Sequence, residues 1–213
     1  MSNTRSLRDS NGYSHKDARF NNAHTFLLPT VMKILSGLSQ RLSSQRLFEL
    51  GCGNGVVAHL VASHGWSVVG VDPSIGGIQQ GNQNFPNIPL YIGSSDDGLA
   101  TLYGKFPVVL SLEVIEHVYN PRKYAACVYS LLEEGGVAII STPYHSYIKN
   151  LVLALTGKMD AHFTALWDFG HIKFWSMATL NCLLKEVGFK SVEYRLVGRI
   201  PCLAKSMIAI ARK

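Results

Sequence analysis

The amino-acid sequence contains no apolar run long enough to cross a membrane and few charged residues. No hydrophobic segment approaches the roughly 20 residues that a membrane-spanning helix requires. The polar start of the chain lacks the apolar core of a secretory signal peptide, so we expect a cytoplasmic protein. Hydrophobic residues make up 47% of the 213 residues and charged residues 16%, which is globular composition and predicts a single domain over residues 1–213.

Cysteine is also scarce, and none of the four cysteines is spaced as a C-x-x-C pair. That spacing argues against a zinc cluster, and the length of the chain argues against a disulfide framework. The net charge is +6, but the basic residues form no dense run. We therefore interpret the excess charge as solvated surface and expect no nucleic-acid partner.

Short apolar segments alternate with helical patterns along most of the chain. Asn120 followed by Pro121 is typical of a helix start, and Ser176 and Gly188 bracket another helix. The alternation predicts an α/β fold in which a mostly parallel sheet has helices on both faces. Residues 1–22 are polar and are expected to form a flexible or substrate-dependent arm. The predicted strands are 47–50, 67–71, 90–92, 108–112, 137–141, 191–196 and 203–211, and the predicted helices are 24–42, 56–64, 120–134 and 176–187.

Residues 143–172 interrupt this alternation with a stretch that is too apolar for a loose loop. A lid over an active site fits such a segment. The apolar residues 151–155 lie between two lysines, and we favour a buried lid helix there. Contact with a membrane surface or a lipid-like acceptor is the alternative. The side chains that are candidates for lining an acceptor pocket are Tyr144, His145, Tyr147 and Trp167.

The segment LFELGCGNG joins the first predicted strand to a helix through three alternate glycines. Glycine permits positive φ angles and lets a ligand approach the backbone closely. The free N–H groups of the following helix suit a carboxylate or phosphate group. The spacing of Gly53, Gly55 and Ala58 satisfies the dinucleotide pattern, so a nicotinamide cofactor is one candidate. A methyl-donor sulfonium nucleoside is the other, because Glu49 supplies a counter-charge for an amino group and Gly51 adds a third glycine.

Four segments resemble motifs of the class I S-adenosylmethionine-dependent methyltransferases. ELGCGNG resembles the turn that wraps the methionine part of the cofactor, and VVGVDPS resembles the motif whose acidic residue, here Asp72, accepts the ribose hydroxyls. GSSDD lies where that family contacts adenine, and LLEEGGVAIISTP resembles its fifth-strand motif.

The resemblance implies S-adenosylmethionine as the cofactor. It also implies a Rossmann-like fold with a seven-stranded, mostly parallel sheet and a lid insertion after the fifth strand. The cofactor-binding residues that it implies are Glu49, Gly51, Cys52, Gly53, Asn54, Gly55, Asp72, Pro73, Ser94, Ser95, Asp96 and Leu112.

The segment SLEVIEHV follows the fourth predicted strand, at the edge of the sheet where a ligand crevice is expected. If this turn is helical, Glu113, Glu116 and His117 share one face, and two adjacent carboxylates there need solvent, a partner or a cation. The segment resembles the UbiG-type O-methyltransferases of ubiquinone biosynthesis and the small-RNA 3′-end 2′-O-methyltransferases, which hold a divalent metal with E-x-x-E-H and a later histidine. His171 lies where that histidine would fall, so the resemblance implies Mg²⁺, Mn²⁺ or a similar ion at these four residues. Without a metal, His117 is the candidate proton acceptor.

Four functions are compatible with these patterns, and the fourth in rank is a cofactor-binding protein without catalysis. The first is methylation of an oxygen in a small acceptor of quinone-like or catechol-like chemistry. The second is metal-dependent RNA 2′-O-methylation, which ranks lower because the chain lacks a dense basic and aromatic patch. The third is a nicotinamide-dependent reductase. The sequence leaves the acceptor, the methylated atom and the oligomeric state open.

Overall fold

The structure is a computed structural model that describes residues 23–168 and 170–213. The arm expected over residues 1–22 lies outside the described residues. Within the described ranges, no helix is long and apolar enough to cross a membrane.

Seven strands form one sheet in the order β3-β2-β1-β4-β5-β7-β6. Strands β1 to β5 run parallel, and β7 pairs antiparallel with both β5 and β6. This arrangement confirms the predicted mostly parallel, seven-stranded sheet. The strands are β1 (Arg46–Leu50), β2 (Ser67–Asp72), β3 (Leu90–Ile92), β4 (Phe106–Leu112), β5 (Leu132–Pro143), β6 (Ser191–Val197) and β7 (Ser206–Arg212).

Helices cover both faces of the sheet, and each face has its own hydrophobic core. Helices α1, α2 and α3 supply apolar residues to one core, and α4, α5 and α8 supply them to the other. Two 3₁₀ turns, Ile115–His117 and Pro201–Leu203, complete the pattern. The helices are α1 (His24–Ser39), α2 (Val56–Ser63), α3 (Ile75–Asn84), α4 (Leu99–Tyr103), α5 (Pro121–Leu131), α6 (Tyr147–Leu155), α7 (Met159–Phe163) and α8 (Met177–Val187).

The predicted helix starts coincide with side-chain caps. The Asn120 side chain accepts a hydrogen bond from the Lys123 N–H (3.1 Å) at the start of α5. At the start of α8, Ser176 and Thr179 each accept a hydrogen bond from the other's backbone N–H, which forms a capping box. Gly188 ends α8 with a φ of 114°, a left-handed conformation that favours glycine.

Several predictions about the secondary structure are wrong. Helix α5 ends at Leu131 rather than before Gly135, because Leu132 is buried and pairs with Phe106 of β4 as the first residue of β5. The sequence pattern also fails to predict α3 and α4. Helix α3 carries two isoleucines as its only large apolar residues, and α4 is only five residues long.

The segment between β5 and α8 contains α6 and α7 and contacts the E-x-x-E-H turn. Its ends are joined by a bridge between Tyr144 and Trp175, and the Glu116 carbonyl accepts hydrogen bonds from the N–H groups of Ile172 (2.9 Å) and Lys173 (3.0 Å). No residue of α6 is buried, so the expectation of a buried lid helix over residues 151–155 is wrong.

The sheet order reverses direction beside β1. The chain passes from β1 outward to β2 and β3, and then returns to place β4 on the other side of β1. In open α/β sheets, a ligand crevice lies outside the carboxyl ends of the strands at such a switch point. The turns after β1 and β4, which carry the two sets of predicted site residues, therefore lie at the same crevice.

Candidate active site

The turn after β1 requires glycine for both conformation and space. Gly51, Gly53 and Gly55 have φ angles of 83°, 55° and 75°, which non-glycine residues rarely adopt. A Cβ atom on Gly51 would overlap the side chain of Val114. Since Val114 lies within the E-x-x-E-H segment, this contact brings the glycine turn against the turn after β4.

Glu49 lies in β1, just before the glycine turn, and one of its carboxylate oxygens lacks a hydrogen-bond partner among the described residues. Its side chain is buried, and its Oε2 atom has no hydrogen-bond partner among the described residues. Burial, and then the negative charge of Asp72, raise the pKa of Glu49 well above its ordinary value. A cationic amino group at this position would supply both the missing hydrogen bond and the missing counter-charge.

Asp72, at the carboxyl end of β2, fastens the glycine turn to its own strand. Its carboxylate accepts hydrogen bonds from the N–H groups of Gly53 and Ser74, each at 2.8 Å. Pro73 lies between Asp72 and Ser74, the residue that caps α3. A carboxylate oxygen can accept more than one hydrogen bond, so this position is also compatible with ribose hydroxyls.

The remaining residues of the glycine turn are largely shielded from solvent. Cys52 is buried, its N–H donates to the Val71 carbonyl (3.2 Å), and burial followed by the charge of Glu49 raises the pKa of its thiol well above its ordinary value. The Asn54 side chain accepts a weak hydrogen bond from the Val56 N–H (3.4 Å) at the start of α2. Leu112, at the end of β4, is also buried. These three side chains therefore lie on the buried side of the turn.

The segment predicted to contact adenine is ordered by a residue absent from the predicted set. Asp97 accepts hydrogen bonds from the Ser94 N–H (2.6 Å) and the Ser94 hydroxyl (3.2 Å). Asp96 is exposed and forms an ion pair with Lys123 (2.9 Å). Ser95 lies between Ser94 and Asp96 in the same turn. The acidic pair in GSSDD predicted a polar turn but did not show which carboxylate accepts the hydrogen bonds of Ser94.

The E-x-x-E-H segment is helical only in part. The 3₁₀ turn covers Ile115–His117, and Glu113 precedes it with a φ of 54°. A left-handed conformation is uncommon for a residue with a long side chain and is found at sites held by their surroundings. The condition for a shared helical face is therefore not met.

Glu113 is held by two serines. Its Oε1 accepts a hydrogen bond from the Ser141 hydroxyl (2.8 Å), and its Oε2 accepts one from the Ser206 hydroxyl (3.3 Å). Burial raises the pKa of Glu113 to about 7, and the two hydroxyls and the charge of Lys149 oppose that rise. Sequence reasoning did not anticipate either serine.

The carboxyl group of Glu116 differs from that of Glu113 in its hydrogen bonding. Its side chain is fully buried, and neither carboxylate oxygen has a hydrogen-bond partner among the described residues. Burial, and then the charge of Glu113, raise the pKa of Glu116 well above its ordinary value. Its Oε1 lies 4.0 Å from His117 Nε2 and 4.0 Å from His171 Nε2.

Glu116, His117 and His171 together offer a possible set of metal ligands. One donor atom from each residue lies within 4.8 Å of the others. His117 Nδ1 lies 3.2 Å from the Gly170 carbonyl, which favours a proton on Nδ1 and leaves Nε2 as the acceptor that faces Glu116. Burial, and then the nearby His117, lower the pKa of His171 to about 4, so this imidazole is neutral at pH 7. The neutral imidazole of His171, a second imidazole and a buried carboxyl group fit a divalent cation.

The four residues predicted to line an acceptor pocket lie in different surroundings. Trp167 lies over the imidazoles, with its ring 6.0 Å from that of His117 and 5.3 Å from that of His171. Tyr144 is buried, whereas Tyr147 is 97% exposed. His145 belongs to an aromatic cluster with His162, Phe163 and Phe174.

A family model described as a methyltransferase domain matches residues 21–194, which is most of the chain. The chain belongs to this methyltransferase family. The match confirms the expected class, an S-adenosylmethionine-dependent methyltransferase, and decides against a nicotinamide-dependent reductase.

The methyltransferase is similar to proteins named ubiquinone biosynthesis O-methyltransferase. It is 29% identical over 164 residues to the protein from Ruegeria pomeroyi and 32% identical over 155 residues to one from Cereibacter sphaeroides. These matches cover 74% and 70% of this chain, and 64% and 61% of the relatives. The chain thus spans less than two thirds of the length of these relatives.

The fold of the methyltransferase is also similar to solved structures. Magnesium protoporphyrin IX methyltransferase from Synechocystis, solved with bound SAH, has a TM-score of 0.66 and 18% sequence identity. The similarity covers 92% of this chain and 90% of that chain. It confirms the Rossmann-like fold expected from the sequence.

Proposed function

We propose that the methyltransferase transfers a methyl group from S-adenosylmethionine to an oxygen atom of a small acceptor. The observation that carries the proposal is the contact between the two turns. The glycine turn after β1 packs directly on Val114, and the adjoining residues bring Glu116, His117 and His171 together. This contact supports a methyl donor and a hydroxyl-activating group at one crevice.

Glu49 and Asp72 are the anchors that we assign to the two ends of the donor. The unpartnered oxygen of Glu49 suits the ammonium group of the methionine part. Asp72 lies at the end of β2, where an acidic residue accepts ribose hydroxyls in folds of this kind. The three glycines give the turn between these carboxylates a backbone conformation that other residues rarely adopt.

The transfer itself needs alignment and one proton acceptor. The sulfonium already activates the methyl group, so the protein has to place the acceptor oxygen in line with the methyl–sulfur bond and exclude water. The acceptor oxygen gains the methyl group, the sulfur keeps the bonding electron pair, and the hydroxyl proton leaves. We assign the role of proton acceptor to His117, whose Nδ1 lies 3.2 Å from the Gly170 carbonyl.

A divalent cation such as Mg²⁺ or Mn²⁺ is compatible with the same residues. Glu116, His117 and His171 would hold it, and it would lower the pKa of an acceptor hydroxyl. Glu116 then gains the partner that its buried carboxylate lacks. In the absence of a cation, His117 acts as the base.

A small acceptor with vicinal oxygens, such as a catechol or a quinol, is the substrate class that we favour. The names of the similar proteins from Ruegeria pomeroyi and Cereibacter sphaeroides support this choice. We assign residues 143–172 the role of a lid, because Trp167 lies over the imidazoles and Ile172 is tied to the Glu116 carbonyl.

Methyl transfer from radiolabelled S-adenosylmethionine tests this proposal. Catechol and a hydroquinone serve as small acceptors and a single-stranded RNA oligonucleotide as the competing one, each with Mn²⁺ or EDTA. We expect label in the small phenols and a loss of about 100-fold or more in the Glu116→Gln variant. The exposed Glu193→Gln variant is the control. Label in the RNA alone, or unchanged activity of Glu116→Gln, would contradict the proposal.

We further propose that α6 contacts a bilayer surface that contains anionic lipids. Tyr147, Leu151 and Leu155 on this helix are 97%, 58% and 78% exposed. The exposed Lys158 follows them, and the chain carries a net charge of +6. Exposed apolar side chains beside lysines are typical of helices that lie in a membrane interface. The cytoplasmic location expected from the sequence remains a prediction.

Sedimentation with phosphatidylglycerol-containing vesicles tests the membrane contact. The double variant Leu151→Ser and Leu155→Ser should lose most of the vesicle-bound fraction. Leu102→Ser removes a leucine that is 64% exposed on α4 and should bind as the unaltered protein does. Equal binding of all three proteins would refute a role for α6.

A further inference from the structure

The four side chains of the E-x-x-E-H set and its later histidine occupy two different environments. Glu116, His117 and His171 converge on one point, whereas Glu113 is engaged by Ser141 and Ser206. We infer that Glu113 is a positioning residue that holds the turn, and that the cation is bound by the other three residues. This inference rests on the proposed cation site.

The serine contacts join Glu113, at the end of β4, to strands β5 and β7. The Glu113 carboxylate accepts hydrogen bonds from both serine hydroxyls. The backbone N–H of Glu113 also donates to the Ser141 carbonyl (3.1 Å) and to the Ser141 hydroxyl oxygen (3.0 Å). Ser141 belongs to β5 and Ser206 begins β7, while Glu113 directly follows β4. The carboxylate therefore fixes the point at which β4 leaves the sheet.

The backbone of Glu113 needs this fixation. Its φ of 54° is a conformation that persists only when the surroundings determine it. Glu116 and His117 follow within four residues, so the direction in which β4 leaves the sheet sets where their side chains point. Loss of the serine contacts would release the turn that carries two of the three ligands.

The unused hydrogen-bonding capacity also lies with Glu116. Neither oxygen of Glu116 has a hydrogen-bond partner among the described residues, whereas each oxygen of Glu113 accepts a hydrogen bond from a serine hydroxyl. The two hydroxyls hold the Glu113 carboxylate toward β5 and β7, and Glu113 is not among the three residues whose donor atoms converge. One carboxylate and two imidazoles form a set that binds divalent transition metals and leaves positions open for an acceptor.

Titration with Mn²⁺, followed by the electron paramagnetic resonance signal of the free ion, separates the two roles. The unaltered protein should bind one Mn²⁺, and Glu116→Gln should abolish binding. Glu113→Gln keeps a side chain that can both accept and donate a hydrogen bond, so its dissociation constant should stay within about threefold. Glu113→Ala removes the contacts with both serines and should weaken Mn²⁺ binding by about tenfold or more.

Each other outcome overturns the inference. A loss in Glu113→Gln equal to that in Glu116→Gln would make Glu113 a ligand, and unchanged binding in Glu113→Ala would deny it a positioning role. S-adenosylhomocysteine binding, measured by calorimetry on all four proteins, checks that they are folded. If the unaltered protein binds this nucleoside but no Mn²⁺, the cation site fails while the donor site stands.

Discussion

Glu49 places an acidic group where its surroundings favour the neutral form. Burial and the neighbouring Asp72 both raise its pKa, and its Oε2 has no partner among the described residues. A bound ammonium group would reverse this preference, because an adjacent positive charge stabilises the ionised carboxylate. The free protein therefore carries a carboxyl group whose environment becomes favourable only when a cationic ligand arrives.

The Glu49→Gln variant should separate ligand binding from stability. We expect its affinity for S-adenosylhomocysteine to fall by about 1.5–3 kcal/mol, because a charge-assisted hydrogen bond becomes a neutral one. The free energy of unfolding without ligand should change little, since the buried carboxyl favours its neutral form. Calorimetry and urea denaturation measure the two quantities. Unchanged affinity would show that Glu49 does not contact the amino group.

Substitution of Asp72 would test ligand binding less selectively than substitution of Glu49. Its carboxylate accepts hydrogen bonds from the N–H groups of Gly53 and Ser74, so Asp72→Ala would also release the glycine turn. A loss of binding in that variant would have two explanations. The Glu49 variant avoids this difficulty because the Oε2 atom of Glu49 has no hydrogen-bond partner among the described residues.

The sequence predicted the site residues better than their partners. Glu49, Asp72 and Glu116 lie at the ends of strands or in the following turns, and their positions follow from the strand pattern. The partners of Glu113 are 28 and 93 positions away in the sequence. Such contacts depend on the order of strands in the sheet, which local pattern does not give.

At the scale of elements, prediction succeeded where packing and local chemistry agree. Strands β1 and β4 are almost entirely buried, and their apolar runs marked them clearly. Helix α3 lacks an apolar face of that kind, and the start of β5 has the pattern GluGluGlyGly, which resembles a loop. Helix α6 has an apolar face that the fold leaves exposed, so its pattern predicted a helix correctly but its burial wrongly.

The capping box of α8 should contribute measurably to stability. Ser176→Ala removes the side-chain acceptor for the Thr179 N–H and should lower the free energy of unfolding by about 1 kcal/mol. Ser63→Ala, at the exposed end of α2, is a matched control that should change it by less than about 0.5 kcal/mol. Urea denaturation monitored by circular dichroism gives both values. Equal effects of the two substitutions would show that the cap contributes nothing specific.

At the scale of the whole molecule, the strand order explains why the two turns meet. The sheet reverses its order beside β1, so the turns after β1 and β4 share one crevice, and Gly51 lies against Val114. The family match agrees with this architecture, and the glycine pattern alone had left two cofactors open. Gly170, Ile172 and Lys173 contact Glu116 and His117 at the same crevice.

Titration of the purified protein with S-adenosylhomocysteine and, separately, with NADH tests the central claim, that the crevice holds a sulfonium nucleoside between Glu49 and Asp72. Isothermal calorimetry should give one saturable site for S-adenosylhomocysteine and no heat of binding for NADH. No detectable binding of S-adenosylhomocysteine, or saturable binding of NADH in its place, would contradict the account.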